Sequence, residues 1–215
     1  MAKKNLKKGI FITFEGPEGC GKSTQSKLLY DYLKRRGYAC VYTREPGGTK
    51  AGEKIRQLLL AARDIAISNI AEVFLFEASR SQIVREVIGP ALAGKKIVIC
   101  DRFSDATISY QGYGGKVPIK VIRILDKLAT GGLKPDLTIL LDIDTATGLK
   151  RATRKGVDRM ERKTIAYHRR VREGYLKLAG LEPSRIKVIK VVDGVDEIQS
   201  FIRREVESVI QRYKR

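Results

Sequence analysis

An apolar run, Ile10-Phe11-Ile12-Thr13-Phe14, leads directly into Gly16-Pro17-Glu18-Gly19-Cys20-Gly21-Lys22-Ser23, followed by Thr24. The eight-residue stretch fits G-x-x-x-x-G-K-[ST], and its flanks decide how it folds: a buried strand before it, a helix after it to about Arg36. Glycines let successive backbone N–H groups curl around a phosphate, and the helix start adds its positive dipole end. Lys22 supplies a mobile cation for the β- and γ-phosphates, and the Ser23 hydroxyl can ligate Mg²⁺. Few sequence features constrain a fold this tightly, because the loop works only between a parallel strand and a helix.

The rest of the chain repeats that alternation. Short β-rich runs at 38–43, 97–100, 137–141 and 186–192 are separated by helical stretches near 51–63, 69–93, 119–130, 145–155 and 158–180. Near-continuous apolar strands indicate burial on both faces, so the order predicts a three-layer α/β fold. Its centre is a five-stranded parallel sheet with helices on both faces, the architecture of phosphate-loop NTPases. At the C-terminal end Ile198, Phe201, Ile202, Val206, Val209 and Ile210 recur at helical spacing and predict a packing face. With no repeat or linker, residues 1–215 are expected to form one domain, with 1–8 as a flexible basic tail.

Charge is the unusual part of the composition: 43 Lys and Arg against 24 Asp and Glu, a net +19. The basic residues are dispersed apart from both ends, which favours solvated faces over a nucleic-acid track, and no nucleic-acid partner is expected. Cys20, Cys40 and Cys100 form no CxxC pair, which fits a reducing compartment. The single histidine, His168, excludes multi-histidine metal sites and is expected on the surface of a charged helix. No signal peptide and no bilayer-length apolar run is visible, so a cytoplasmic protein without a membrane partner is expected.

Three features point beyond nucleotide binding. The run IVIC ends in Asp101, a carboxylate at the carboxyl end of a parallel strand, where it can hold Mg²⁺ directly or through water. Arg102 follows it and places a guanidinium fork beside the same crevice. The segment 148–163 is crowded with cations (Lys150, Arg151, Arg154, Lys155, Arg159, Arg162, Lys163) and reads either as a lid over a transferring phosphoryl group or as a solvated basic helix. Phe76 and Arg80, four apart on one helix, can stack a base and bond its carbonyl, or be a core Phe beside a surface Arg.

FEGPEGCGKST, TREPGGT (43–49), FLFEASR (74–80), DRFSDATISYQG (101–112), KPDLTILLDI (134–143) and the basic lid occur in this order over nearly the whole chain. The sequence closely resembles the thymidylate kinase family. The resemblance implies transfer of the ATP γ-phosphoryl group to dTMP with Mg²⁺, held by Ser23 and Asp101, in a cytoplasmic homodimer. It implies that Glu18 lies near the acceptor sugar and that Glu45 and Pro46 wall the acceptor pocket. Arg56 would grip the acceptor phosphate, Phe76 stack the base, Arg80 read thymine O4 and Arg102 bridge the phosphates. Thr107 and Gln111 match positions that bond the thymine edge, and Tyr110 one that crowds the sugar against a 2′-hydroxyl. The variable loop positions Pro17 to Cys20 carry no cation, so the resemblance is to the branch whose catalytic positive charge comes from the lid: Arg151, Arg154 or Lys155. Catalysis is thereby expected from Lys22, Arg102, Glu18 and these lid cations. Ala106 stands where many members have serine, and the roles of Asp158 and Glu161 stay open.

Two other kinds of protein compete. Another nucleoside-monophosphate kinase, for UMP or CMP, would differ at Phe76, Arg80 and SYQG. A nucleic-acid-associated ATPase would hydrolyse ATP in response to DNA or RNA with steep salt dependence and no need of dTMP. Cys20 sits at a helix start, which can lower a thiol pKa, so its alkylation and the protection of it by ATP test occupancy of the loop; the other reading is a simply buried thiol.

Overall fold

The computed structural model describes residues 4–61, 65–152, 158–191 and 194–214. Five parallel strands, β1 (Ile10–Glu15), β2 (Cys40–Arg44), β3 (Ile97–Asp101), β4 (Leu137–Asp142) and β5 (Ile186–Lys190), lie in the order β2-β3-β1-β4-β5. β1 is therefore central, and its carboxyl end opens where the connections diverge to opposite sides of the sheet. Alternation along β1 explains the layers. Ile10, Ile12 and Phe14 pack with Leu29 and Leu33 of α1 (Lys22–Arg35), and with Ile202 and Val206 of the C-terminal helix. Phe11 faces the opposite layer with Val98, Cys100, Ile83, Ile88 and Phe103. Both faces of the sheet are thus covered, as the continuous apolar runs predict.

The helices are α1, α2 (Lys50–Arg56), α3 (Asn69–Ile83), α4 (Gly89–Ala93), α5 (Ser104–Thr107), α6 (Ile119–Thr130), α7 (Thr145–Ala152), α8 (Ile165–Leu181) and α9 (Val195–Tyr213). π-helical turns extend α2 through Gln57–Ala61, join α3 to α4 through Val84–Ile88 and extend α5 through Ile108–Gly114. The α5 segment and its extension, which periodicity does not mark as a helix, carry four of the residues around the candidate site.

Several expectations need correction. The helix expected from 158 begins at Ile165, where the Thr164 hydroxyl caps it by accepting from the Tyr167 N–H at 3.2 Å. Residues 158–163 form turns in which Asp158 N–H donates to Glu161 Oε2 and Glu161 N–H to Asp158 Oδ1. His168 is 1% exposed, not a surface residue, because it falls on the stripe of Val171, Tyr175 and Leu178 that packs inward between charged neighbours. Phe201 is 44% exposed, while the rest of its predicted face is buried. Strand β5 stops at Lys190. The expected tail is not free from Lys4 onward: Lys4 and Leu6 form β-bridges to Tyr38 and Lys214, Leu6 is buried, and Lys8 pairs with Asp136 at 2.9 Å.

Candidate active site

At the carboxyl ends of β1, β2 and β3 lies a cleft of about 480 Å³. One end is the phosphate loop, represented on the cleft wall by Glu18, Gly19, Gly21, Lys22, Ser23 and Thr24. Gly16, Pro17 and Cys20 do not line it. Gly16 and Pro17 instead accept at their carbonyls from Lys22 Nζ, at 3.0 and 2.9 Å, so the lysine is held over the loop that it serves. Gly19 has φ 67° and Gly21 φ 92°, and a Cβ at Gly19 would meet the Gly148 carbonyl at 2.0 Å. Only glycine satisfies both demands at position 19.

Ser23 Oγ donates to Asp101 Oδ2 across the cleft floor. A hydroxyl and a carboxylate in contact, beside a loop built for phosphates, are the hard oxygen donors that Mg²⁺ takes together with phosphate oxygens and waters. Among the described residues no group of three or more His, Cys, Asp or Glu gathers elsewhere as a metal cage.

Arg102 is the centre of the polar wall. Its backbone takes the left-handed φ of 72°, a strained choice for a side chain of this size. The Arg102 N–H donates to the Phe14 carbonyl at 2.9 Å, and the next N–H, of Phe103, donates to Glu15 Oε1 at 2.7 Å. The guanidinium then fans out. Nη1 donates to the Gly16 carbonyl (3.1 Å) and the Tyr175 hydroxyl (3.0 Å), and Nη2 to Glu18 Oε1 and the Tyr110 hydroxyl, both at 2.9 Å. The Tyr175 hydroxyl in turn donates to Glu15 Oε2 at 2.8 Å, and that of Tyr110 to Glu18 Oε1. Burial alone would raise the Glu18 carboxyl, but Arg102 and Lys22, with the Tyr110 hydroxyl, outweigh it and hold the carboxyl at about 2. Glu15 has less help: burial, then Asp105, push it up to about 8. Sequence reasoning missed Glu15 and Tyr175, which never touch the cleft.

The other end of the cleft is lined by Glu45, Pro46, Arg56, Phe76, Thr107, Tyr110 and Gln111, all anticipated, and by Arg44, Leu60 and Met160, which were not. Arg56 Nη1 donates to the Pro46 carbonyl at 2.9 Å. Arg44 arrives from the end of β2 and pairs with Glu53 at 3.2 Å, a position readable from TREPGGT but not singled out. Ala106 also lines the wall.

Arg80 does not reach the cleft surface. It is 1% exposed, and each of its five N–H groups already has an acceptor. Nε donates to Glu45 (2.8 Å), Nη1 to Glu77 (2.6 Å) and Asp126 (3.3 Å), and Nη2 to the Phe103 carbonyl (3.2 Å) and Thr107 Oγ1 (2.9 Å). Three carboxylates around one cation leave Glu45 Oε1 and Glu77 Oε2 without partners, and burial, against the pull of Arg80, moves Glu45 up to about 7.

Of the lid, Arg151 and Ala152 line the cleft, together with Asp158 and Glu161. Arg154 and Lys155 lie outside the described residues. Arg159 is turned away, donating to Glu72 at 2.6 Å and to the Leu59 carbonyl at 2.7 Å. Of the two readings of Cys20 the buried one holds, and burial outweighs Lys22 and Arg102 to raise its thiol.

One cleft thus joins a phosphate loop, an oxygen-donor pair and an aromatic wall with directional polar groups. The family model described as Thymidylate kinase matches residues 14–202. The chain belongs to the thymidylate kinase family. A thymidylate kinase of Dehalococcoides mccartyi is 46% identical over 202 residues, 94% of this chain and 98% of that protein. One of Geotalea daltonii is 49% identical over 197 residues, 88% and 92% of the two chains. The crystal structure of thymidylate kinase from Ehrlichia chaffeensis superposes with a TM-score of 0.75 at 35% identity, covering 93% of this chain and 98% of that one. Membership of the thymidylate kinase family makes the chain a nucleotide-binding phosphotransferase, and among the described residues no helix is long and apolar enough to cross a membrane.

Proposed function

We propose how the residues of the cleft divide the work of phosphorylating dTMP. The reaction is transfer of the γ-phosphoryl group of ATP to dTMP, giving dTDP and ADP. The observation that carries the division is the position of Arg102, whose one guanidinium touches both the phosphate-loop carbonyl of Gly16 and the carboxylate of Glu18. From that position Arg102 can bridge the phosphates of donor and acceptor, where charge shifts during transfer. The phosphate loop and Thr24 hold ATP. Ser23 and Asp101 hold Mg²⁺, which supplies charge neutralisation at the phosphates.

Glu18 and Tyr110 face the acceptor sugar. Arg56, with the neighbouring Arg44, takes the acceptor phosphate. Phe76 stacks the base, and Thr107 and Gln111 meet its edge, with Arg80 acting on that edge through Thr107 and Glu45. Lys22, Arg102 and a lid cation (Arg151, Arg154 or Lys155) stabilise the phosphoryl group in flight. No covalent enzyme intermediate is needed; alignment and fixed positive charge suffice. The enzyme works in the cytoplasm as a single-domain protomer of a homodimer, without nucleic acid or membrane.

The test is product formation from dTMP, dUMP and UMP under one set of conditions. dTMP should be the best substrate, dUMP weaker by the modest factor that one methyl recess allows, and UMP poorest because Tyr110 crowds a 2′-hydroxyl. Equal use of UMP and dTMP would reject the assignment of Tyr110 and favour a broader pyrimidine kinase.

A further inference from the structure

Glu72, Phe76 and Arg80 follow one another at four-residue steps along α3 and so share a face. Phe76 lines the cleft and Arg80 stands behind it. Glu72 had no place in the reading of the sequence. It is 1% exposed, and one of its oxygens, Oε1, takes both Arg159 Nη1 at 2.6 Å and Lys163 Nζ at 3.4 Å. Its other oxygen, Oε2, accepts from Gln111 Nε2 at 3.1 Å in a buried contact.

That last bond decides which way the Gln111 amide faces. A carboxylate paired with two cations offers acceptors only, so the NH₂ of Gln111 must point at Glu72. Turning the amide over would set Gln111 Oε1 against Glu72 Oε2 in a buried place, an oxygen-to-oxygen contact with neither atom satisfied. Gln111 also lines the cleft, so the carbonyl is the end left for a ligand.

We propose that Glu72 sets the base specificity of the acceptor site by fixing the Gln111 amide with its carbonyl toward the ligand. A carbonyl at that point selects a pyrimidine that offers a ring N–H, as thymine and uracil do at N3. It rejects cytosine, whose N3 is an acceptor and would face Oε1 without a proton between them. Buried groups left unpaired discriminate far more strongly than shape does. Arg159 and Lys163, arriving from the turns before α8, hold Glu72 in place. Glu72 is therefore a positioning residue acting through Gln111. The inference rests on the reading that Gln111 meets the acceptor base.

The experiment compares kcat/KM for dTMP and dCMP in the wild-type enzyme, Glu72→Gln and Gln111→Leu. In Glu72→Gln the facing amide can donate or accept, so Gln111 is free to turn. The dTMP:dCMP ratio should fall by about tenfold or more, with KM for ATP held within about twofold. A purely structural Glu72 would lower both activities alike and leave the ratio at the wild-type value, which overturns the proposal. Gln111→Leu separates the two layers. If it leaves the ratio unchanged, Gln111 does not read the base and the underlying reading falls. If it changes the ratio while Glu72→Gln does not, Glu72 alone loses its role. Should Glu72→Gln fail to fold, Glu72→Asp keeps the charge against Arg159 and withdraws the oxygen from Gln111. An intermediate ratio then supports the proposal, and a wild-type ratio rejects it.

Discussion

Arg80 shows how much a single side chain can do from behind a wall. Its guanidinium pairs with Glu45, Glu77 and Asp126 and donates to the hydroxyl of Thr107, a residue of the cleft wall. Removing the cation strands buried carboxylates, which typically costs about 3 kcal/mol or more. Arg80→Ala should therefore lower the urea midpoint markedly and raise KM for dTMP much more than KM for ATP. If both nucleotides lost affinity equally, Arg80 would have no special tie to the acceptor. At this scale the sequence was a good guide to what lines the cleft and a poor one to what stands behind it. Phe76, Thr107, Tyr110 and Gln111 were legible because they sit in compact motifs. Glu15, Glu72 and Tyr175 were not, since a buried carboxylate or tyrosine in an apolar strand or helix looks like ordinary core until its long-range partners are known. Arg80 was legible by position, but nothing in FLFEASR says that Glu45 and Asp126, distant in sequence, would occupy its donors.

Among elements, the close contact between α7 and the phosphate loop yields a testable expectation about catalysis. A Cβ on Gly148 would come 2.4 Å from the Glu18 carbonyl, and one on Gly19 would strike Gly148 in return. Two glycines thus let the first helix of the lid lie directly against the loop, which places Arg151 on the cleft wall. Gly148→Ala sets two effects against each other. Alanine in a helix interior gains about 1 kcal/mol, and overpacking typically costs about 1–3 kcal/mol. Thermal stability should then stay level or fall by up to about 2 kcal/mol, while displacement of the loop backbone lowers kcat by about tenfold or more. Unchanged kcat and KM for ATP would mean that this contact has no part in catalysis. The central strands could be read as continuous apolar runs, because both faces of the sheet are covered, and most helices from their periodicity. The π-helical extension of α5 and the late start of α8 could not: both depend on packing between the two segments, where Tyr167 donates to the Tyr110 carbonyl at 2.9 Å. The same packing turns His168 inward.

For the whole molecule, the net charge of +19 reports little about the cleft, whose decisive groups are buried carboxyls as much as cations. Those carboxyls make stability depend on pH in a defined direction. Glu15 and Glu45 are raised from 4.5 to about 8 and about 7, chiefly by burial, so folding favours their protonated forms. Their contribution is complete below pH 4.5 and is lost as pH rises through 7 to 8. Glu18 runs the other way: lowered to about 2, it stabilises fully above its unfolded value of 4.5 and ceases to do so as pH falls through 2. A tenfold change in a carboxyl's proton affinity on folding corresponds to roughly 1.4 kcal/mol, so the two raised groups together can remove several kcal/mol between weakly acidic and alkaline pH. The urea midpoint should consequently decline from about pH 5 to pH 9. Glu15→Gln, which cannot ionise, should flatten that decline while leaving the acid side below about pH 4 unchanged. A mutant curve parallel to the wild-type curve would show that Glu15 is ionised throughout and that the Arg102 cluster, not the proton, balances its burial.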